Sequence, residues 1–132
     1  LYAAGLECTG LVDEPTAASN VLQIRNGAIV DVGGGTTGLA VVEDGKVVYT
    51  ADEPTGGTHF TLVVAGAKGL TFEQAERVKV DSADQLRLLP VVRPVMEKVC
   101  TIVQRQIAGR NVQTLYLVGR ACAFPGMAGV VE

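Results

Sequence analysis

Only one histidine, His59, and no tryptophan occur in these 132 residues, and aromatic side chains make up 5%. A single imidazole cannot build a His-pair metal site. Any Ser-His-Asp triad would have to use His59, and no GxSxG nucleophile elbow accompanies it. The cysteines are few and scattered: Cys8, Cys100 and Cys122. Their odd number and lack of CxxC spacing argue against a disulfide framework or a zinc site, and fit a reducing cytoplasm. Long apolar runs are absent. Leu62 to Ala67 is the best candidate, but it contains Gly66 and is far shorter than the ~18 residues of a membrane span. No segment reads as a signal peptide or a basic transit sequence. Positive charge is also short, with 11 Lys and Arg against 14 Asp and Glu and a net charge of −3. The basic residues form no patch and no Trp offers a stacking platform, so neither nucleic acid nor a membrane is expected as a partner.

The remaining composition is that of a folded chain. It is 48% hydrophobic and 19% charged, which excludes disorder. The length suits one domain with its own core. The chain opens on Leu1 rather than Met, as expected of a piece of a longer protein.

Turn and cap signals divide the sequence. Thr9 to Val12 is a short candidate strand. Asp13-Glu14-Pro15 reads as a helix start, with the helix running to about Gln23. Ala28 to Val32 is a buried strand, followed by Gly33-Gly34-Gly35. Thr37 to Glu43 and Lys46 to Ala51 flank Asp44-Gly45, a two-residue hairpin signal. Thr58 is a candidate cap for a helix over His59 to Ala67. Thr71 with Gln74 fits a capping box for a helix through Val80. Ser82 or Asp84 starts a third helix, complicated by Pro90 and Pro94. Val92, Val95, Met96, Val99, Ile102, Val103 and Ile107 follow helical spacing. Thr114 to Val118 is another strand, and a helix begins at Gly126 and continues toward Glu132. This order predicts an α/β fold, a mixed sheet of about five strands flanked by helices.

Asp31-Val32-Gly33-Gly34-Gly35-Thr36-Thr37 is the sharpest chemical feature. Three glycines let backbone N–H groups approach an anion, and the threonines add hydroxyls. Asp31, at a strand end, is placed to hold a hydrated Mg²⁺ or to orient a water. The spacing matches neither the P-loop nor GxGxxG before a helix. By itself the segment also reads as a flexible strand-to-strand turn.

Four further segments surround it in a fixed order: Glu14-Pro15-Thr16-Ala17-Ala18, Gly56-Gly57-Thr58, Glu76-Arg77-Val78-Lys79, and Leu117-Val118-Gly119 through Pro125-Gly126. Together they resemble the second lobe of the actin/Hsp70 ATPase superfamily over almost the whole chain. The wider text, including VVYTADEPTGGTHF and PVVRPVMEKV, resembles an Hsp70-like, chaperone-like branch serving ethanolamine utilisation. The resemblance implies a ribonuclease-H-like lobe over residues 1–132, with a reduced helical subdomain at about 68–90. It implies ATP or ADP with Mg²⁺ as ligands. Gly33, Gly34, Gly35 and Thr36 would form a phosphate loop. Asp31 would hold the metal through water and, with Glu14, serve catalysis. Gly57 would pass close to the phosphates or ribose, Glu76 and Lys79 would contact the nucleoside, and Gly119 would lie against it.

Two positions depart from the family pattern. Arg120 stands where a second glycine is usual, and Val80 where Hsp70 proteins carry an Arg against the adenine. Both concern the nucleoside side, which leaves a second reading: a non-hydrolysing scaffold or assembly protein on an actin-like fold with a degenerate nucleoside pocket. The first lobe, with its own phosphate loop, is not in this chain, so appreciable ATPase activity is not expected of these residues alone. Expected partners are that lobe and an ethanolamine-utilisation enzyme or shell protein. The expected location is the cytoplasm, with association to a bacterial microcompartment. Plain readings stand beside these. Glu14 suits a helix N-terminus, and Glu76 with Lys79 makes an ordinary ion pair. His59 suits a hydrogen-bonded helix start, Cys122 a small buried hydrophobe, and Arg120 a surface salt bridge.

Overall fold

A computed structural model describes residues 2–131. Among them four strands form one sheet in the order β3-β2-β1-β4. Strands β1 (Gly27–Val32), β2 (Thr37–Glu43) and β3 (Lys46–Glu53) form an antiparallel meander. Strand β4 (Leu115–Val118) lies parallel to β1 on its other side. Asp44 and Gly45 both take positive φ, 50° and 77°. That is the primed turn that an Asp-Gly hairpin predicts, because its twist matches the strands it joins.

The expected strand at Thr9 to Val12 does not form, so the sheet has four strands rather than five. Leu11 is 95% exposed and Val12 60%. A strand needs a neighbour to satisfy its backbone groups, and no strand among the described residues pairs with this segment.

Alternation along β1 sends its side chains to two layers. Ala28, Val30 and Val32 face the main core with Phe60, Val64, Leu88, Val92 and Met96. Ile29 faces a smaller cluster with Ile24 and Val42, against which Ala18 packs. Helix α1 (Glu14–Val21) covers the second face, and α2 (Gly57–Lys68), α3 (Phe72–Val80) and α4 (Ser82–Ile107) cover the first. Asp31 follows the parity of Ile29 and so faces α1.

Most helix starts obey their caps. The Asp13 side chain accepts from Thr16 N at 2.9 Å and caps α1. Thr71 and Gln74 form the reciprocal capping box at α3. Asp81 caps α4 through Ala83 N at 3.0 Å. Helix α2 differs: it begins at Gly57, with Gly56 at the cap and Thr58 inside the first turn. His59 Nδ1 accepts from Gly56 N at 3.2 Å, so the lone histidine is engaged locally. Helix α1 ends at Val21, two residues before the expected Gln23, because Gln23 takes a positive φ of 52°.

Helix α4 runs unbroken through Pro90 and Pro94. Both prolines are exposed and lie four residues apart on the outward face. There the carbonyls they leave unbonded can turn to water. The opposite stripe of Val92, Met96, Val99 and Val103 is buried as the spacing predicts. Helix α5 (Met127–Val131) begins near the expected Gly126; Glu132 lies outside the described residues. No helix among them is long and apolar enough to cross a membrane.

Gly66 gives a simple check on the helical layer. A Cβ there would meet nothing within 4 Å, and the residue sits inside α2. Gly66→Ala is therefore expected to stabilise the fold by about 0.5–1 kcal/mol, read as a higher urea midpoint.

Candidate functional site

The β1–β2 connection is the four-residue loop Gly33 to Thr36, closed by Val32 paired with Thr37 and by Gly33 N donating to Thr36 O at 3.0 Å. The N-terminus of α2 abuts this loop. Gly57 N donates to Gly33 O at 2.8 Å, and Thr58 N to Gly34 O at 2.7 Å. Helix and loop thus meet backbone to backbone, which explains the glycine at the cap. A Cβ on Gly56 would stand 2.8 Å from both loop carbonyls and 2.9 Å from Thr36 N. The close approach to the loop belongs to Gly56, the first of the two glycines. The Gly-Gly pair signals it, but only the helix start decides between its two members.

With its carbonyls turned into α2, the loop presents amides outward. Gly34 and Gly35 are exposed, and a Cβ on either would meet nothing within 4 Å. Among the described residues nothing accepts from their N–H groups. Free amides of successive glycines suit an anion.

The two candidate catalytic carboxylates come together at the next edge of the loop. Pro15 packs on Gly38, where a Cβ would lie 3.1 Å from the proline ring. Gly38 is the cross-strand partner of Asp31. This seats the first turn of α1, and Glu14 with it, beside Asp31. Burial pushes the Asp31 pKa up, and the Glu14 carboxylate pushes it further. Two hard oxygen donors that repel each other and pair with no cation among the described residues suit Mg²⁺ held partly through water. On the far side of Asp31 lies Gly119, following β4. A Cβ there would clash with Asp31 Oδ1 and stand 2.5 Å from Val32 O. Gly119 touches the candidate metal carboxylate and does not line the cleft described next.

A cleft of about 490 Å³ opens on the other side of the loop, within the usual range for small-molecule sites. Gly33 and Gly34 form one end, and Glu76, Lys79, Gln85 and Arg120 line the polar side, with Val80 beside them. Phe60 and Phe124 form the apolar wall, edge to face with centroids 6.0 Å apart. Glu76 and Lys79 pair at 2.7 Å, one helical turn apart on α3. Lys79 is 14% exposed and Glu76 44%. Lys79 Nζ also donates to Gly57 O at 3.1 Å and to Thr61 Oγ1 at 2.9 Å. Burial alone would raise the Glu76 pKa. Hydrogen bonds from Lys79 and Thr61, with the charges of Lys79 and Arg120, outweigh it and leave the pKa lowered. Sequence reasoning missed Thr61, Gln85 and Phe124, because each looks like an ordinary helix or loop residue until α2, α3 and the 120s turn are brought together. Cys122 packs against the main core, and burial followed by the Asp31 charge raises its pKa, as befits an unreactive thiol. Among the described residues no cluster of three or more His, Cys, Asp or Glu forms a metal site, so the carboxylate pair alone stands for the cation.

The chain resembles known proteins along almost its whole length. The family model described as cell division protein FtsA matches residues 28–130. The ethanolamine utilization protein EutJ of Escherichia coli (strain K12) is 46% identical over 97% of this chain and 45% of that protein. The chain thus spans about half the length of the curated relatives it matches. The crystal structure of EutJ from Carboxydothermus hydrogenoformans superposes with a TM-score of 0.92 at 46% identity, over 98% of this chain and 49% of that one. An archaeal actin homolog, Ta0583, shares the fold with a TM-score of 0.65 at 18% identity, over 89% of this chain and 46% of that one. The α/β lobe with its glycine loop at the end of the two inner strands is accordingly that of the actin-like ATPases, and the chain belongs to the FtsA family.

Proposed function

We propose that this chain is the nucleotide-binding second lobe of a chaperone-like, actin-fold protein of ethanolamine utilisation. The observation that carries this reading is the loop Gly33 to Thr36. Its carbonyls are tied into α2, and the amides of Gly34 and Gly35 are left open between a carboxylate pair and a cleft. Those residues fit Mg-ATP or Mg-ADP. Gly33, Gly34, Gly35 and Thr36 hold phosphates by backbone and hydroxyl donors. Asp31 holds the metal through water, and Glu14 orients a water beside it. Gly57 fixes the loop from behind. Glu76 and Lys79 border the nucleoside, and Gly119 keeps β4 close enough to Asp31 to hold that carboxylate in place. The chemistry bound Mg-ATP supplies is in-line attack of water on its γ-phosphate, favoured by positioning and charge neutralisation. The other half of the site belongs to a first lobe. Residues 68–90, mostly α3 and the start of α4, are a reduced helical subdomain. The working environment is the cytoplasm beside a microcompartment, with an ethanolamine-utilisation enzyme or shell protein as client.

A second reading rests on Arg120 and Val80. Both line the cleft, and Val80, 51% exposed, itself offers an aliphatic side chain with no plane on which a base would stack. A protein with this lobe and a weakened nucleoside pocket would serve assembly without turnover.

Calorimetric titration of the full-length protein with Mg-ATP tests both. The first reading expects a Kd of about 1–100 μM and loss of at least about tenfold in affinity for Gly34→Val. No heat at millimolar nucleotide would reject it. If Arg120→Gly tightens binding by about tenfold or more, the second reading is supported.

A further inference from the structure

The buried threonine of α2 stands behind the Glu76–Lys79 pair of the cleft wall, and no motif accounts for it. Thr61 is 0% exposed. Its hydroxyl stands among Gly57 O, Glu76 and Lys79. The proton inventory decides what each contact is. The Lys79 ammonium has three N–H bonds and three acceptors: Gly57 O, Thr61 Oγ1 and Glu76 Oε2. Thr61 therefore accepts from Lys79 and keeps its own single proton for Glu76 Oε2. Its 3.2 Å approach to Gly57 O is secondary, because Lys79 already serves that carbonyl. Both donors converge on Oε2, and among the described residues none takes up Glu76 Oε1. That oxygen is left for the cleft, which Glu76 lines.

We infer that Thr61 is a positioning residue: by holding Glu76 Oε2 and Lys79 together it fixes the free Glu76 oxygen as an acceptor for a hydroxyl-bearing part of the ligand. The inference rests on the nucleotide reading above and adds the group that sets its selectivity for a ribose diol. The frame is stiff because it is anchored at both ends. Gly57, held by Lys79 through its carbonyl, donates its N–H to Gly33 O at 2.8 Å. Without the hydroxyl, Lys79 and Glu76 each lose a partner, and the half-exposed carboxylate is less firmly held.

The test compares Mg-ADP with Mg-2′,3′-dideoxy-ADP by calorimetry on the full-length protein. Wild type is expected to prefer the diol by about tenfold, the worth of one hydrogen bond to a charged acceptor. Thr61→Val, which keeps shape and loses the hydroxyl, brings the ratio to within about twofold, and Thr61→Ser restores it. A ratio unchanged in Thr61→Val overturns the inference, as does equal weakening of both ligands, which is what mere loosening of the fold would give. If Thr61→Val does not fold by circular dichroism, Thr61→Ala gives the same comparison with room for a water. A wild type that binds neither ligand overturns the nucleotide reading itself. A wild type that binds both alike overturns only the role of Thr61.

Discussion

Gly119→Ala is expected to destabilise the fold by about 3 kcal/mol or more, the largest stability effect of any single methyl added to this chain. Gly119 has φ 89° and ψ 154°, a region that only glycine occupies readily; that strain alone costs about 1–3 kcal/mol. The added carbon would also clash with Asp31 Oδ1 and stand 2.5 Å from Val32 O and 2.8 Å from Val32 C. Two of these atoms are backbone of the central strand. Relief requires β4 to draw away from β1, breaking the parallel pairing of Asp31 with Val118. Urea denaturation should show the midpoint fall, opposite in sign to Gly66→Ala. A change of less than about 1 kcal/mol would show that the β1–β4 edge yields more easily than its packing implies.

Asp31→Asn should separate binding from stability. Mg-nucleotide affinity is expected to fall about 10–100-fold, the usual range for removing an outer ligand partner, while the urea midpoint near neutral pH does not drop. The stability half follows from the raised pKa. Burial, then the Glu14 carboxylate, makes ionisation of Asp31 less favourable in the folded chain than in the unfolded one. Its stabilising share is complete below the ordinary carboxylate value and is lost as pH rises through the raised folded value. At neutral pH wild type carries that cost and the Asn variant does not. Protons also compete with Mg²⁺ for the same oxygens, so wild-type affinity should decline on acidification at a higher pH than an ordinary Asp would dictate. Titrations across pH 4–8 with both proteins check this. A midpoint clearly lower for Asp31→Asn would mean that the carboxylate stabilises the fold.

Much of this was readable from local chemistry. Asp44-Gly45 has one good backbone solution, and the Asp13 and Thr71 caps act within three residues, so those boundaries were legible. The long stripe of α4 was legible as well, since its period survives two prolines on the outward face. The failures are non-local. Thr9 to Val12 has strand composition, but pairing depends on a neighbour that composition does not reveal. Thr58 has better cap chemistry than glycine, yet the loop carbonyls of Gly33 and Gly34 leave no room for a side chain at position 56. The residues of the candidate site came from the family's motif order, and what the structure adds is their supports. Pro15 on Gly38 brings Glu14 to Asp31, and Thr61 ties Glu76 to Lys79. Neither contact has a sequence signature, because each joins different elements at a separation of fifteen residues or more.

The orientation of the loop between β1 and β2 has one more consequence. Since the carbonyls of Gly33 and Gly34 are turned inward, the outward field of that segment comes from peptide dipoles, which carry no titratable proton. Its pull on an anion should therefore be nearly constant from mildly acidic to mildly alkaline solution and indifferent to oxidation or acetylation of side chains. The protein's share of any pH response then falls to the side chains around the loop, and the phosphate grip remains as a fixed electrostatic background beneath them.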